Sequence, residues 1–140
     1  MIWKASPRLR PTRPSAETVD YIHTHKTAAL IRAAICAGAI LAGATEAQRS
    51  ALGLVGRNLG LAFQIMDDIL DVTQTSEQLG KTAGKDDKAH KATYPAIVGL
   101  EKSRKIAEQL TAKAFAALKP FKGRAVALEA LAEFLLKRDR

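Results

Sequence analysis

Three acids stand inside an apolar run at Phe63-Gln64-Ile65-Met66-Asp67-Asp68-Ile69-Leu70-Asp71-Val72-Thr73, and that combination calls for a compensating charge. At about 100° per residue, a helix through this run puts Asp67 and Asp71 about 40° apart, and the reading places Asp68 and Gln64 on the same stripe. Unpaired carboxylates in an apolar setting are costly. No Lys or Arg occurs between Asn58 and Leu79 to pair with them locally. Clustered oxygen donors suit a hard ion such as Mg²⁺, which binds through a few carboxylates and the phosphates of a substrate. The spacing alone also fits a plain acidic helix end facing water.

The segment after the acids favours the metal. Residues Gln74 to Lys91 are polar and without Phe, Tyr or Trp, and they contain Gly80, Gly84, Lys81, Lys85, Lys88 and Lys91. A cationic, glycine-containing loop beside a metal-binding acidic face is what a diphosphate needs, because ammonium groups and Mg²⁺ together neutralise its charge.

Three separated motifs, in order, resemble those of one family. The stretch from Gly60 to Arg104, with Phe63 to Asp71, Leu79-Gly80-Lys81-Thr82-Ala83-Gly84-Lys85-Asp86 and Lys91-Ala92-Thr93-Tyr94-Pro95, resembles the second aspartate-rich region of trans-type polyprenyl diphosphate synthases. Upstream, Tyr21-Ile22-His23-Thr24-His25-Lys26-Thr27 is similar to that family's Lys-Thr substrate helix. The likeness runs from about Pro14 to the C-terminus and is greatest to the short-chain farnesyl and geranylgeranyl synthases. It implies an all-α helical bundle of the isoprenoid synthase type, here incomplete, with about four to five helices.

The same resemblance implies head-to-tail condensation of isopentenyl diphosphate with an allylic diphosphate, with Mg²⁺ as cofactor. Asp67 would be the principal metal ligand, with Asp68 and Asp71 binding directly or through water. Lys26, Lys81 and Lys91 would hold diphosphate oxygens. Thr27 and Gln64 would turn neutral oxygen dipoles toward the allylic cation, where an anion could trap it. The family's first aspartate-rich motif, its paired arginines and its N-terminal basic cluster have no counterpart in Met1 to Asp20. Residues 1–13 therefore read as an unrelated, disordered leader, and 14–140 as the C-terminal part of a polyprenyl synthase domain. The chain is expected to be inactive alone. The alternative is a non-catalytic subunit that docks on a full-length synthase, and either case implies a homo-oligomer or association with another synthase chain.

Composition narrows the classes further. A hydrophobic fraction of 47% rich in Ala and Leu fits a globular helical protein. The net charge of +8 does not form a nucleic-acid surface. Lys4, Arg8, Arg10 and Arg13 account for half of it before any acid occurs, and the rest of the chain shows no basic face with interleaved aromatics. The run Ala28 to Ala44 is too short to span a bilayer and carries Arg32, so no membrane span is expected. The single Cys36 excludes an internal disulfide, suits a buried apolar role, and fits a reducing compartment, read here as the cytoplasm.

The elements that position these residues can be read in turn. Ser15 caps a helix running unbroken from Ala16 to Ala42, with Lys26 and Thr27 where its polar and apolar halves meet. Thr45 and Gln48 form a capping box opening a helix from Glu46 to about Val72. On it, Gly53, Gly56 and Gly60 predict close packing against the first helix, since interior glycines otherwise weaken a helix. Thr93 and Pro95 open a third helix, bent at Gly99 and stopped by Lys119-Pro120. A last helix over 123–137 puts Val126, Leu128, Leu131, Phe134 and Leu135 on one apolar side. His23 and His25 read as a helix-surface pair.

Overall fold

The computed structural model describes residues 15–78 and 93–137. Six helices occur among them: α1 (Ala16–His25), α2 (Thr27–Leu41), α3 (Glu46–Gln78), α4 (Tyr94–Val98), α5 (Leu100–Leu118) and α6 (Val126–Leu136). No strand is present among the described residues, so the all-α expectation holds. The long α3 is the axis, with α2 and α5 packed along it and α1, α4 and α6 closing the ends.

The predicted start signals act as read. Ser15 Oγ accepts the Thr18 amide at 3.2 Å. Thr45 Oγ1 accepts the Gln48 amide at 3.3 Å, while Gln48 Oε1 accepts the Thr45 amide at 2.9 Å, a reciprocal capping box. Thr93 Oγ1 accepts the Ala96 amide at 3.3 Å with Pro95 in the first turn. A 3-10 turn over Lys119–Phe121 succeeds α5, and the chain reverses through Lys122 and Gly123, both at positive φ.

The glycine expectation is met closely. A Cβ on Gly60 would lie 2.4 Å from Ala28 Cα, and one on Gly56 would lie 2.6 Å from Arg32 Cα. At Gly53 it would meet the Arg32 and Cys36 side chains at ordinary contact distance. Positions 28, 32 and 36 thus descend against 60, 56 and 53, so α2 runs antiparallel to α3 with backbones nearly touching. Cys36 is half-buried in this seam rather than fully enclosed.

Several boundaries differ from the sequence reading. The helix expected to run unbroken from Ala16 to Ala42 breaks at Lys26, whose backbone sits at φ −103 and ψ −97. The break falls two residues before Ala28, the α2 residue that rests on Gly60, the last glycine of the seam. Before it, α1 packs Val19 against Ile65 and Ile69. At Gly99 the expected bend is a full break, since φ +89 with ψ 156 lies outside helical geometry. Helix α3 continues to Gln78, beyond the Val72 end expected for it.

The core has two parts along α3. One joins Val55 and Leu59 to Ala114, Leu118, Ala125 and Ala132. The other joins Ile65 and Ile69 to Val19, Tyr94 and Ala107. The apolar side predicted for α6 is only partly used. Ala125 and Ala132 are buried, but Val126, Leu131 and Phe134 are more than half exposed, because small alanines let α6 sit close while its larger side chains point away. No helix among the described residues is long and apolar enough to cross a membrane.

Candidate functional site

The second core part carries the polar chemistry. Asp68 is buried on α3 at 6% exposure, and its Oδ2 accepts the Tyr94 main-chain N–H at 3.0 Å. His23 of α1 is also buried, and its Nε2 lies 3.5 Å from the same Asp68 oxygen. The Tyr94 hydroxyl donates to Asp20 of α1, and the Tyr94 ring lies against His23 with centroids 5.7 Å apart and planes at 24°. Four residues from three helices close a circuit. Burial, then the Asp20 hydrogen bond and the nearby carboxylates of Asp20 and Asp68, push the Tyr94 hydroxyl well above the ordinary tyrosine value.

This arrangement corrects two expectations. The three aspartates do not share one stripe. Asp68 stands about 100° around the helix from Asp67 and about 60° beyond Asp71, which turns it inward toward α1 and α4. Asp67 is half-buried and Asp71 exposed, one turn apart on a single face. Nor is His23 a surface residue: its spacing of four from buried Val19 puts it on the inner face of α1. His25 does face water, stacked on Tyr21 at 4.0 Å between ring centroids.

The other candidates gather near the break between α1 and α2. Lys26 is exposed at the break itself, and Thr27 is half-buried as the first residue of α2. Thr27 adjoins Ala28, which rests on Gly60, and Gln64 stands half-buried one turn further along α3. Thr27 and Gln64 are thereby carried to the same end of the α2–α3 seam. Gln64 in turn lies three and seven positions before Asp67 and Asp71, on their side of α3. Lys81 and Lys91, read as diphosphate-binding, lie outside the described residues.

Sequence reasoning passes over Asp20 and Tyr94, although a signal for the second is there: Thr93-Tyr94-Pro95 reads only as a helix start when its aromatic residue is ignored. A cleft of 460 Å³ elsewhere, between α2 and α3, is lined by Arg32, Cys36, Arg49, Ser50 and Arg57 and includes none of the candidates. Its Arg49 is engaged by Glu46 on the same helix.

As to a metal, the donor set is hard oxygen throughout, and Asp67 with Asp71 on one face supplies the one or two carboxylates that Mg²⁺ takes alongside phosphate oxygens. No group of three or more His, Cys, Asp or Glu that could hold a metal ion occurs among the described residues. The residues fit a metal shared with a phosphate ligand rather than one enclosed by protein.

A six-helix arrangement of this kind, with an acidic face on its longest helix, has the fold of isoprenyl diphosphate synthases. It superposes on an FPP/GFPP synthase from Zymomonas mobilis with a TM-score of 0.74 at 31% identity, covering 91% of this chain and 40% of that one. It also matches a geranyltransferase from Helicobacter pylori complexed with magnesium and isoprenyl diphosphate, with a TM-score of 0.66 at 32% identity over 90% and 41% of the two chains. In sequence it is 49% identical over 121 residues to a dimethylallyltranstransferase of Fischerella ambigua, covering 86% of this chain and 35% of that protein. Against geranylgeranyl pyrophosphate synthase 3, chloroplastic, of Arabidopsis thaliana it is 48% identical over 139 residues, 99% of this chain and 39% of that protein. The chain thus spans well under half the length of these relatives. The family model for polyprenyl synthetase matches residues 1–131, a span that takes in the first 13 residues. The chain belongs to the polyprenyl synthetase family.

Proposed function

We propose that this chain carries the diphosphate-holding half of a prenyltransferase for isoprenoid biosynthesis, acting in head-to-tail condensation of isopentenyl diphosphate with an allylic diphosphate. The observation that supports it is the convergence of Asp67 and Asp71 on one face of α3 with Gln64, Thr27 and Lys26 at the nearby helix junction, in a chain of this family. The Helicobacter relative, whose complex holds magnesium and isoprenyl diphosphate, supports the same ligand class.

Ionisation of an allylic diphosphate separates charge, and the residues divide that task. Asp67 and Asp71 hold the cofactor. Mg²⁺, when bound there, supplies Lewis-acid stabilisation of the leaving diphosphate. Lys26, with Lys81 and Lys91, pairs with diphosphate oxygens as point charges. Thr27 and Gln64 offer neutral oxygen dipoles, which stabilise a developing carbocation without capturing it. Residues 1–140 hold no counterpart of the family's first aspartate-rich motif or of its N-terminal basic cluster, so in this reading the chain alone binds diphosphate weakly and does not turn over.

Association with another chain, a second copy or a full-length synthase, belongs to this reading. Leu30, Leu41 and Phe134 are 71%, 88% and 67% exposed, and a partner seated on α2 or α6 would cover them. The single thiol Cys36 fits a reducing compartment such as the cytoplasm. Incubation with radiolabelled isopentenyl diphosphate and dimethylallyl or farnesyl diphosphate tests the proposal. The expected result is Mg²⁺-dependent retention of label without condensation, and turnover equal to that of a full-length synthase would reject it.

A further inference from the structure

We propose that Asp68 is a positioning residue and not a metal ligand: it latches the last turn of α1 and the first residue of α4 onto α3, so that Lys26, Asp67 and Asp71 face a diphosphate in one fixed frame. The proposal rests on the diphosphate reading above and assigns one of its three acids a different task.

Three observations carry it. Asp68 is the buried member of the three, turned about 100° from Asp67. Its Oδ2 is engaged from two sides, by the Tyr94 amide at 3.0 Å and by His23 Nε2 at 3.5 Å. With Oδ2 committed to protein donors, only the other oxygen of a residue that is 6% exposed is left for the octahedral shell of a hydrated Mg²⁺, whereas Asp67 and Asp71 lie nearer the surface. Moreover, the residues it holds are themselves joined, through the Tyr94 hydroxyl on Asp20 and the Tyr94 ring against His23. The circuit therefore locks α1 and α4 to α3 rather than merely filling space.

The consequence reaches the site through the chain. Lys26 leaves α1 three residues after His23, within the turn that Asp68 anchors, and the Lys26 amide still bonds Ile22 O at 3.0 Å. Asp67 precedes Asp68 directly. Loosening the latch would let the lysine turn move relative to the acidic face while leaving each ligand chemically intact.

The test uses the full chain with Mn²⁺ as a spectroscopic stand-in for Mg²⁺ and inorganic pyrophosphate as the ligand. Asp67→Ala, Asp68→Ala and Asp68→Asn are compared, the last keeping a carbonyl oxygen able to accept the Tyr94 amide. Paramagnetic resonance should show Mn²⁺ affinity within about threefold of wild type in both Asp68 variants, and about tenfold or more weaker in Asp67→Ala. Pyrophosphate affinity with Mn²⁺ present should fall about tenfold or more in Asp68→Ala and recover to within about threefold in Asp68→Asn. Exchange of the Tyr94 amide hydrogen should accelerate in Asp68→Ala and stay slow in Asp68→Asn. Loss of Mn²⁺ affinity in Asp68→Asn to the level of Asp67→Ala would make Asp68 a ligand and overturn the proposal. If wild type binds no Mn²⁺-pyrophosphate, the diphosphate reading fails, and the exchange data still decide the latch: equal Tyr94 rates in all variants overturn it, and fast exchange confined to Asp68→Ala sustains it.

Discussion

The Tyr94 main-chain N–H meets Asp68 Oδ2 at 3.0 Å across 26 positions of sequence, joining the segment after the lysine-rich stretch to the C-terminal half of α3. The same tyrosine reaches α1 through its hydroxyl on Asp20. A buried donor of this kind has a measurable acid–base consequence. Because the folded chain holds the Tyr94 proton well above the ordinary value of 10.0, the unfolded chain loses it first as pH rises. The folded state then binds more protons than the unfolded one, and stability falls with increasing pH. The contribution is complete below pH 10 and is lost above it. Urea midpoints at pH 8 and pH 11 should therefore drop more in wild type than in Tyr94→Phe, which lacks the ionisable group, although the variant starts lower by the lost Asp20 bond. Equal drops would place Tyr94 outside the alkaline transition.

The seam between α2 and α3 makes a graded prediction. Gly60→Ala adds a Cβ 2.4 Å from Ala28 Cα, and Gly56→Ala adds one 2.6 Å from Arg32 Cα. Neither obstacle is a flexible side-chain end, so the helices must part. Helix propensity returns up to about 1 kcal/mol, but overpacking costs typically about 1 to 3 kcal/mol, so both variants should unfold at lower urea. Gly53→Ala meets only Arg32 and Cys36 side-chain atoms at 3.5 Å and beyond, and should be neutral or slightly stabilising. Helical circular dichroism monitored through a urea titration separates the three.

Much of the fold was written in local signals, and the failures share one cause. Ser15, the Thr45–Gln48 box, Thr93 with Pro95, and Lys119-Pro120 act within one turn of themselves, so sequence spacing suffices to place them. The three seam glycines were legible because an interior glycine weakens a helix unless a neighbour needs the space. The break at Lys26 was not, since nothing local demands it: it falls where α2 passes Gly60, the last glycine of the seam, and α1 instead packs Val19 against Ile65 and Ile69. Asp68 was misplaced for a similar reason. Three acids in five positions look like one cluster, but rotation of about 100° per residue separates the middle one, and only α1 and α4 reveal what it faces.

Replacing Asp67 isolates the metal-dependent part of ligand binding. Asp67→Ala should abolish whatever pyrophosphate affinity Mg²⁺ confers and leave the metal-free affinity, carried by lysines, in place. Asp71→Ala, on the same face one turn later and exposed, should weaken the Mg²⁺ effect without removing it. Calorimetric titration with pyrophosphate, with and without Mg²⁺, reads both. Lys26→Ala should act oppositely, lowering affinity in each condition by a similar factor, because an ammonium group pairs with phosphate whether or not the metal is present.

Uncovered apolar side chains lead to the last prediction. Leu41 is 88% exposed at the end of α2 and Phe134 67% exposed on α6, at positions where single substitutions touch neither core part. Covering such side chains with a partner favours association by about 25 cal/mol for each Å² of apolar surface removed from solvent. The chain should therefore sediment above its monomer mass of 15.1 kDa. Leu41→Lys and Phe134→Lys should shift it toward monomer while leaving the urea midpoint nearly unchanged, since neither side chain contributes to the folded core. Charge repulsion would then oppose docking where hydrophobic burial had favoured it. If only Leu41→Lys has this effect, the association runs through the outer face of α2, and if only Phe134→Lys does, through α6. Wild type that sediments as a monomer at every concentration would remove association from the functional reading and leave the chain to bind its diphosphate alone.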